Sequence, residues 1–406
     1  MRKSRSWGAW VWGGVLVLAA LGVLVLAVVL QVRLGAGTLQ RISTEIMDIH
    51  ADFDSFRQSA VAMRQGEDIY DSGARLVNLN PPIWTVLMAP FTLLEELNAY
   101  RLFVIVMLLT TIGYLAWMAD VLRLRAAWAV VGVGMLVVSS PLLATFALGQ
   151  MYPVLALGLV AAWVADRRGR FLVSGLALGL VLALKPSLAP LVLWPLFRRQ
   201  WEMLGATIIS GAAATLVGSL VLGSQATLKY AEVVRNVELE AFWDNASLPS
   251  AALRLFTENE FARPLADWPW VLPVAYAVGI GLVLFTAYWF RDGSEGGLWA
   301  MVAASLIVSP IAWNNYLILL GPGILLLMAR RRVPLALLLL ALQFIPPQWP
   351  VLWSSRDTIL ATLALTLYLY VLVAHWLSFL TLGSRSQEAP ESPSTSEPAR
   401  EEAAPG

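Results

Sequence analysis

The sequence predicts an all-α polytopic membrane protein with about twelve transmembrane helices, and three observations support this fold class. Of the 406 residues, 58% are hydrophobic and only 14% are charged, whereas a soluble domain carries roughly 25% charged residues. The mean hydropathy is +0.69. Apolar runs recur almost continuously from residue 10 to residue 382. These features exclude an ordinary soluble enzyme and indicate one membrane domain over residues 1–382.

The charge and cysteine content exclude further classes. A formal net charge of +1 leaves no basic excess, so no nucleic-acid partner is expected. The chain has no cysteine, which excludes a disulfide, a thiolate metal site and a nucleophilic thiol. We expect no cofactor and no metal.

The N-terminus predicts a first transmembrane helix that is retained. Arg2, Lys3 and Arg5 precede an apolar run at residues 10–32, which is longer than the roughly 7–15 residues of a signal-peptide core. The positive-inside rule places those charges in the cytoplasm. The polar segment that follows, about residues 33–80, is therefore expected on the outer face.

The later apolar runs predict the remaining spans. The positive-inside rule places three arginine clusters in the cytoplasm, at residues 167–170, 198–199 and 330–332. A second large loop, about residues 223–269, is therefore expected on the outer face. Counting every apolar run gives about thirteen crossings, so at least one short run is expected to be re-entrant and both termini cytoplasmic. Residues 383–406 are rich in Ser, Pro, Glu and Ala and predict a disordered cytoplasmic tail. The expected location is the cell membrane.

The first outer loop contains the first candidate for chemistry. Apolar residues recur at helical spacing in the run DFDSFRQSAVAMRQ, which predicts an amphipathic helix on the outer membrane surface with Asp52 at or just before its first turn. Asp52 either caps this helix or carries chemistry, and the two interpretations are compatible. Asp54 lies two residues further, on the opposite side of a helix, so a metal shared by both carboxylates would need a loop there.

Lys185 is the second candidate. It lies in the apolar segment SGLALGLVLALKPSLAPLVLWPLF, where Pro186 and Pro190 predict a break and a hairpin tip. A lysine in such a segment is costly unless its ammonium reaches the headgroups or binds an anion. Both interpretations stay open.

Four amides near the predicted outer ends of spans are candidates for binding hydroxyl groups. They are Gln150 in GQMYP, Asn314 and Asn315 in SPIAWNNY, and Asn245 in DNASL. Each of them could instead satisfy backbone groups that the neighbouring prolines free.

These segments, taken in order, resemble glycosyltransferase family 87, the polyprenyl-phosphate-mannose-dependent mannosyltransferase type. The resemblance rests on DFDSFRQSA with GEDIY, NPPIWTVLMAP, GQMYPVLAL, GLALGLVLALKPSLAPL, DNASL and SPIAWNNYLILL, and it covers about residues 47–320. It implies the C-type glycosyltransferase fold with an active site on the outer face. At one point the sequence departs from the family, because related mannosyltransferases often carry histidine where Asn314 and Asn315 stand.

The resemblance also implies roles and partners. Asp52 corresponds to the catalytic base, with Asp54 as the neighbouring candidate, and Lys185 corresponds to a lysine near the donor phosphate, helped by Arg57 or Arg64. The donor is a polyprenyl-phosphate sugar, with mannose as the first expectation. The acceptor is a lipid or a glycan, and the reaction is an inverting displacement.

The residue inventory agrees with transfer better than with hydrolysis, because glycosidases usually need two opposed carboxyl groups, whereas a phosphate leaves as a stable anion. A transporter or flippase of lipid-linked sugars is the main alternative. It would show interrupted helices in matching halves and polar groups at the bilayer midplane, whereas this chain concentrates charge in two loops. A non-catalytic scaffold of envelope assembly is a further alternative.

Overall fold

The structure, a computed structural model, describes residues 36–345 and 354–383 together with four isolated positions between residues 18 and 29. The predicted first span at residues 10–32, except at those four positions, and the tail after residue 383 lie outside the described residues. The described chain contains eighteen α-helices: α1 (Ala36–Ser43), α2 (Ala51–Gln65), α3 (Pro82–Met88), α4 (Glu96–Val121), α5 (Ala126–Val137), α6 (Ser140–Leu148), α7 (Tyr152–Arg167), α8 (Phe171–Leu184), α9 (Leu193–Phe197), α10 (Trp201–Leu222), α11 (Ser224–Arg235), α12 (Leu248–Phe256), α13 (Val271–Trp289), α14 (Gly297–Val308), α15 (Gly321–Ala329), α16 (Val333–Gln343), α17 (Ile359–Leu365) and α18 (Leu367–Leu380).

The prediction of an all-α protein is confirmed for this part of the chain. Four 3₁₀ segments accompany the α-helices, at Met47–Ile49, Ala89–Leu93, Pro186–Val192 and Asn314–Leu320. Within the described ranges the only extended pairing outside helices is an isolated antiparallel bridge between Asn245 and Trp313, and no strand is formed.

Several helices have the length and composition of membrane spans, but the predicted number of about twelve is not confirmed. Among the described residues α4, α10 and α13 are long and apolar enough to cross alone, and the bent pairs α5 with α6 and α17 with α18 raise the number to five at most. Other apolar runs form short helices inside the protein. In α14, for example, the residues from Gly297 to Ile307 are all buried, and twelve residues rise only about 18 Å, less than the roughly 30 Å of a bilayer core.

The predicted amphipathic helix is present as α2, and its place on the outer membrane surface stays a prediction. It ends at Gly66, whose left-handed backbone closes the last turn through bonds from Gly66 N–H to Met63 O and from Glu67 N–H to Ala62 O. Its apolar face, including Phe53 and Phe56, is buried in the main core. The helix therefore packs against the rest of the protein along this face.

The predicted break at Lys185 is also confirmed. α8 ends at Leu184, and Lys185 leaves the helix with φ −139° and ψ 83° before the 3₁₀ segment Pro186–Val192 begins. α8 is held by close packing on α10, because Cβ atoms at Gly175 and Gly179 would lie 2.3 Å from the Met203 and Thr207 carbonyl oxygens. This contact fixes the end of α8 and so the position of Lys185.

Polar side chains gather at two opposite ends of the fold. At one end, Lys229 forms an ion pair with Asp68, and the rings of Tyr70 and Tyr230 lie 6.2 Å apart, so the two long polar segments meet. At the other end of α7, about 24 Å along its axis, Glu295 pairs with both arginines Arg167 and Arg330, and Asp166 pairs with Arg198. The two long polar segments are therefore in contact, and the predicted inner arginines form ion pairs elsewhere in the protein. The outer face of the two loops and the inner face of the arginines stay predictions.

Candidate active site

Asp52 lies in the first turn of α2 but does not cap it. The residue before the helix is His50, and no side-chain capping bond is made there. Asp52 is half-buried. Burial raises the pKa of Asp52 to about 6, while a side-chain hydrogen bond from Gln150 and the positive charge of Lys185 act in the opposite direction. Three predicted site residues from distant parts of the chain therefore meet.

The loop between α6 and α7 brings Gln150 to Asp52. Gly149 has φ +80°, and a Cβ atom there would lie 2.3 Å from the Phe53 Cβ. Only a glycine allows this loop to pack so closely on the first turn of α2. His50 fixes the same junction, since its Nδ1 lies 2.7 Å from the Ala147 carbonyl oxygen and its ring stacks on Tyr100 at 3.6 Å.

Two tyrosines surround the ammonium of Lys185. Its Nζ lies 5.0 Å from the ring centroid of Tyr316 and 5.8 Å from that of Tyr152, and the two rings are 4.4 Å apart. Tyr152 also lies close enough to Asp52 for the two groups to interact electrostatically. In the described part of the chain Lys185 forms no ion pair within 4.0 Å. Its charge is held by aromatic faces and is available to an anion.

Neither tyrosine was singled out from the sequence. Tyr152 follows Gln150 in GQMYP, and Tyr316 follows the two asparagines in SPIAWNNY. The only sign of these tyrosines in the sequence was that each lies next to a candidate amide. The approach of the two rings to Lys185 depends on how three distant segments pack.

The remaining residues of the first loop lie elsewhere. The Asp54 carboxylate accepts a bond from the Gln58 side chain at 3.3 Å along the same helix. Arg57 donates to the Leu94 carbonyl oxygen at 3.2 Å, and Arg64 donates to the Thr92 hydroxyl at 2.9 Å. These two arginines tie α2 to the segment after α3, so the structure does not bring them to Lys185.

Asn245 is fully used inside the protein. Its Nδ2 donates to the Pro310 carbonyl oxygen at 2.9 Å, and its Oδ1 accepts from the backbone N–H groups of Ser247 and Ala312. It joins the second polar segment to the SPIAW segment. A role for Asn245 in substrate binding stays a prediction.

The preceding residue, Asp244, was missed as a site residue. Burial raises the pKa of Asp244 to about 7, although the charge of Arg254 and the backbone N–H of Asn314 lower it. Asn314 and its neighbour Asn315 are both buried, 1% and 0% exposed. Asn314 therefore lies inside the protein beside a second carboxyl group, and Asn315 and then Tyr316 follow it in the same 3₁₀ segment.

Residues 78–310, more than half of the chain, match the model of glycosyltransferase family 87. The chain belongs to glycosyltransferase family 87. Gln150, Lys185 and Asp244 lie within the matched residues, whereas Asp52 precedes them and the two asparagines follow them.

Mycobacterial glycosyltransferases are similar to this chain over about two thirds of its length. An alpha-(1->3)-arabinofuranosyltransferase of Mycobacterium tuberculosis is 29% identical over 300 residues, 68% of this chain and 65% of the relative. A polyprenol-phosphate-mannose-dependent alpha-(1-2)-phosphatidylinositol mannoside mannosyltransferase of the same organism is 28% identical over 71% of this chain and 74% of its own length. The pentamannoside mannosyltransferase of Mycolicibacterium smegmatis, with the same kind of donor in its name, is 26% identical over 64% of this chain and 65% of its own length. The chain thus spans just under two thirds of the arabinofuranosyltransferase.

Proposed function

We propose that this chain is an integral membrane glycosyltransferase that moves a sugar from a polyprenyl-phosphate donor to a hydroxyl group of a lipid or glycan acceptor. The observation that carries the proposal is the meeting of one carboxyl group, Asp52, with one available cation, Lys185. Family membership supports it, as do mycobacterial relatives named for a polyprenol-phosphate-mannose donor. Mannose is the first sugar to test, and arabinose is the second because of the arabinofuranosyltransferase relative.

In the proposed reaction the acceptor oxygen bonds to the anomeric carbon while the bond from that carbon to the phosphate oxygen breaks. The acceptor proton passes to the Asp52 carboxylate. The polyprenyl phosphate leaves as an anion that the Lys185 ammonium stabilises. A single displacement of this kind inverts the anomeric configuration and needs no acid on the leaving group.

The environment of Asp52 suits a general base. With a pKa of about 6, the carboxyl group is mostly ionised at pH 7, and it accepts a proton more readily than an ordinary aspartate. The side-chain amide of Gln150 lies beside the carboxyl group and favours its ionised form. Asp54, bonded to Gln58 along the helix, has no comparable setting.

The environment of Lys185 suits a phosphate. The faces of Tyr152 and Tyr316 favour a cation and exclude water on two sides. The phosphate role rests on Lys185 alone, because Arg57 and Arg64 are bonded to the segment after α3. The positive-inside pattern favours the outer face for this end of the molecule.

Transfer by purified protein in detergent or nanodiscs tests the proposal. We expect radiolabelled sugar to move from polyprenyl-phosphate mannose, or from the arabinose donor, to a component of a lipid extract. The wild-type protein and an Asp52→Asn variant are compared, with Asp54→Asn as the matched control on the same helix. Movement of the intact donor across vesicles without transfer would instead favour the flippase alternative, and transfer that survives Asp52→Asn would remove the base from the proposal.

A further inference from the structure

Asp244 and Asn315 have buried side-chain atoms that make no hydrogen bond with the described residues. Asn315 is 0% exposed, and neither its Nδ2 nor its Oδ1 makes a hydrogen bond within the described residues. The Oδ1 of Asp244 is likewise buried without a partner there. Buried polar atoms of folded proteins are nearly always paired, so an unpaired group calls for an explanation.

The backbone on both sides of Asp244 is held by hydrogen bonds from a buried side chain. Arg254 is only 1% exposed. It donates to three carbonyl oxygens on the two sides of Asp244, those of Ala241, Phe242 and Asn245. The side chain of Asn245 fixes the same segment to Pro310. The backbone carbonyl oxygens around Asp244 are therefore hydrogen-bonded, whereas the Asp244 Oδ1 has no partner among the described residues.

Asp244 and Asn315 lie on two segments that run beside the candidate active site. The antiparallel bridge between these segments places Asp244 beside Asn314, whose backbone N–H favours the ionised carboxylate. Asn314 begins the 3₁₀ segment that continues through Asn315 to Tyr316. Such a helix rises about 2.0 Å per residue, so the backbone of Tyr316 lies about 4 Å beyond that of Asn314 along the axis. The Tyr316 ring is the one that lies 5.0 Å from the Lys185 Nζ.

The chemistry of the pair fits a polyol. A carboxylate accepts O–H donors, and a primary amide both donates and accepts, so together they match neighbouring hydroxyl groups. A sugar joined to the donor phosphate through its anomeric carbon must lie directly beside the cation that binds that phosphate. A site built to bond hydroxyl groups discriminates strongly against a sugar that lacks them or places them differently.

We propose that Asp244 and Asn315 form the subsite that hydrogen-bonds the hydroxyl groups of the transferred sugar and thereby selects that sugar. The inference rests on the proposed function, because it takes the donor phosphate to bind at Lys185. It adds a second carboxyl group whose role is binding and specificity, not proton transfer.

Two probes separate this subsite from the phosphate site. Binding of bare polyprenyl phosphate and of a set of polyprenyl-phosphate hexoses and pentoses is measured on the full-length wild type, Asp244→Asn and Asn315→Ala in detergent. In the wild type the preferred sugar should strengthen binding over bare phosphate. Each variant should lose about tenfold of that gain, the loss typical of one buried hydrogen bond, and keep its affinity for bare phosphate.

The controls make the outcome decisive. Bare-phosphate binding reports whether each variant is folded, and Asn98→Ala, at an exposed position of α4, should leave both affinities unchanged. A gain from the sugar that persists undiminished in both variants would overturn the subsite. If the wild type bound bare phosphate but gained nothing from any sugar, the subsite would be wrong while the phosphate site stood. If it bound neither probe, the proposed function would fail and the subsite with it.

Discussion

Gly149 gives the sharpest structural test of how Gln150 is held against Asp52. In Gly149→Ala the new residue would keep φ +80°, a left-handed conformation that costs an alanine about 1–2 kcal/mol. Its Cβ would also lie 2.3 Å from the Phe53 Cβ, whereas carbon atoms in contact are about 3.5–4.0 Å apart. The loop and the first turn of α2 must therefore separate by more than about 1 Å.

That separation should affect catalysis as well as stability. A shift of about 1 Å in a positioned group can cost 10²-fold in rate, so we expect transfer to fall by about that factor. Gly66→Ala is the matched control, because Gly66 ends the same helix at φ +75° with nothing within 4 Å of the new Cβ. It should pay the backbone cost alone and transfer sugar at nearly the wild-type rate.

The assay is the initial rate of transfer together with thermal unfolding of the purified variants. We expect both variants to unfold at lower temperature than the wild type, Gly149→Ala more so, and only Gly149→Ala to lose activity. Equal rates for the two variants would refute the argument that close packing of the loop on α2 positions Gln150.

Three further predictions follow from the same site. Because the base must be ionised and the pKa of Asp52 is about 6, kcat/KM should rise with pH through about 6 and level off above it. Gln150 lowers the pKa of Asp52 in the wild type, so Gln150→Leu should raise that pKa and move the midpoint to higher pH. A profile without this midpoint would exclude Asp52 as the titrating base. Lys185→Met should insert into the membrane normally yet lose affinity for a polyprenyl-phosphate analogue, with Lys185→Arg retaining part of it; equal dissociation constants for wild type and Lys185→Met would remove the phosphate role. Transfer should survive a chelator, because Asp52 and Asp54 lie two apart on the regular helix α2 and point to opposite sides; loss in chelator that manganese or magnesium restores would contradict this.

Local patterns in the sequence predicted local structure well. The helical spacing after Asp52 predicted α2, and the prolines after Lys185 predicted the end of α8, because both signals act within a few residues. Asp68 and Lys229 form an ion pair between the two long polar segments, and the shared outer face that the arginine clusters predicted for these segments stays a prediction.

The number of crossings could not be derived from hydropathy for a physical reason, so about twelve crossings stays an unconfirmed prediction. Hydropathy records that a run avoids water but not whether lipid or protein covers it. α14 and α15 are apolar all round because they are enclosed by other helices, and both are too short to span a bilayer alone.

Details of the candidate site were beyond sequence patterns for a different reason. The approach of Tyr152 and Tyr316 to Lys185 depends on three segments far apart in the chain. Asp244 and Asn245 are adjacent in the sequence. The backbone conformation directs the Asn245 side chain to the Pro310 carbonyl oxygen and leaves one oxygen of Asp244 without a hydrogen bond among the described residues.

A single-turnover transfer measurement on wild type, Asp52→Asn and Asp54→Asn tests the central claim most directly. Each purified protein is mixed in excess with radiolabelled polyprenyl-phosphate sugar and acceptor extract, and donor binding is measured in parallel. We expect Asp52→Asn to bind donor as the wild type does and to transfer sugar about 10²- to 10⁴-fold more slowly, with a much smaller effect of Asp54→Asn. Transfer by Asp52→Asn at the wild-type rate, or a larger loss in Asp54→Asn, would contradict the assignment of Asp52 as the base.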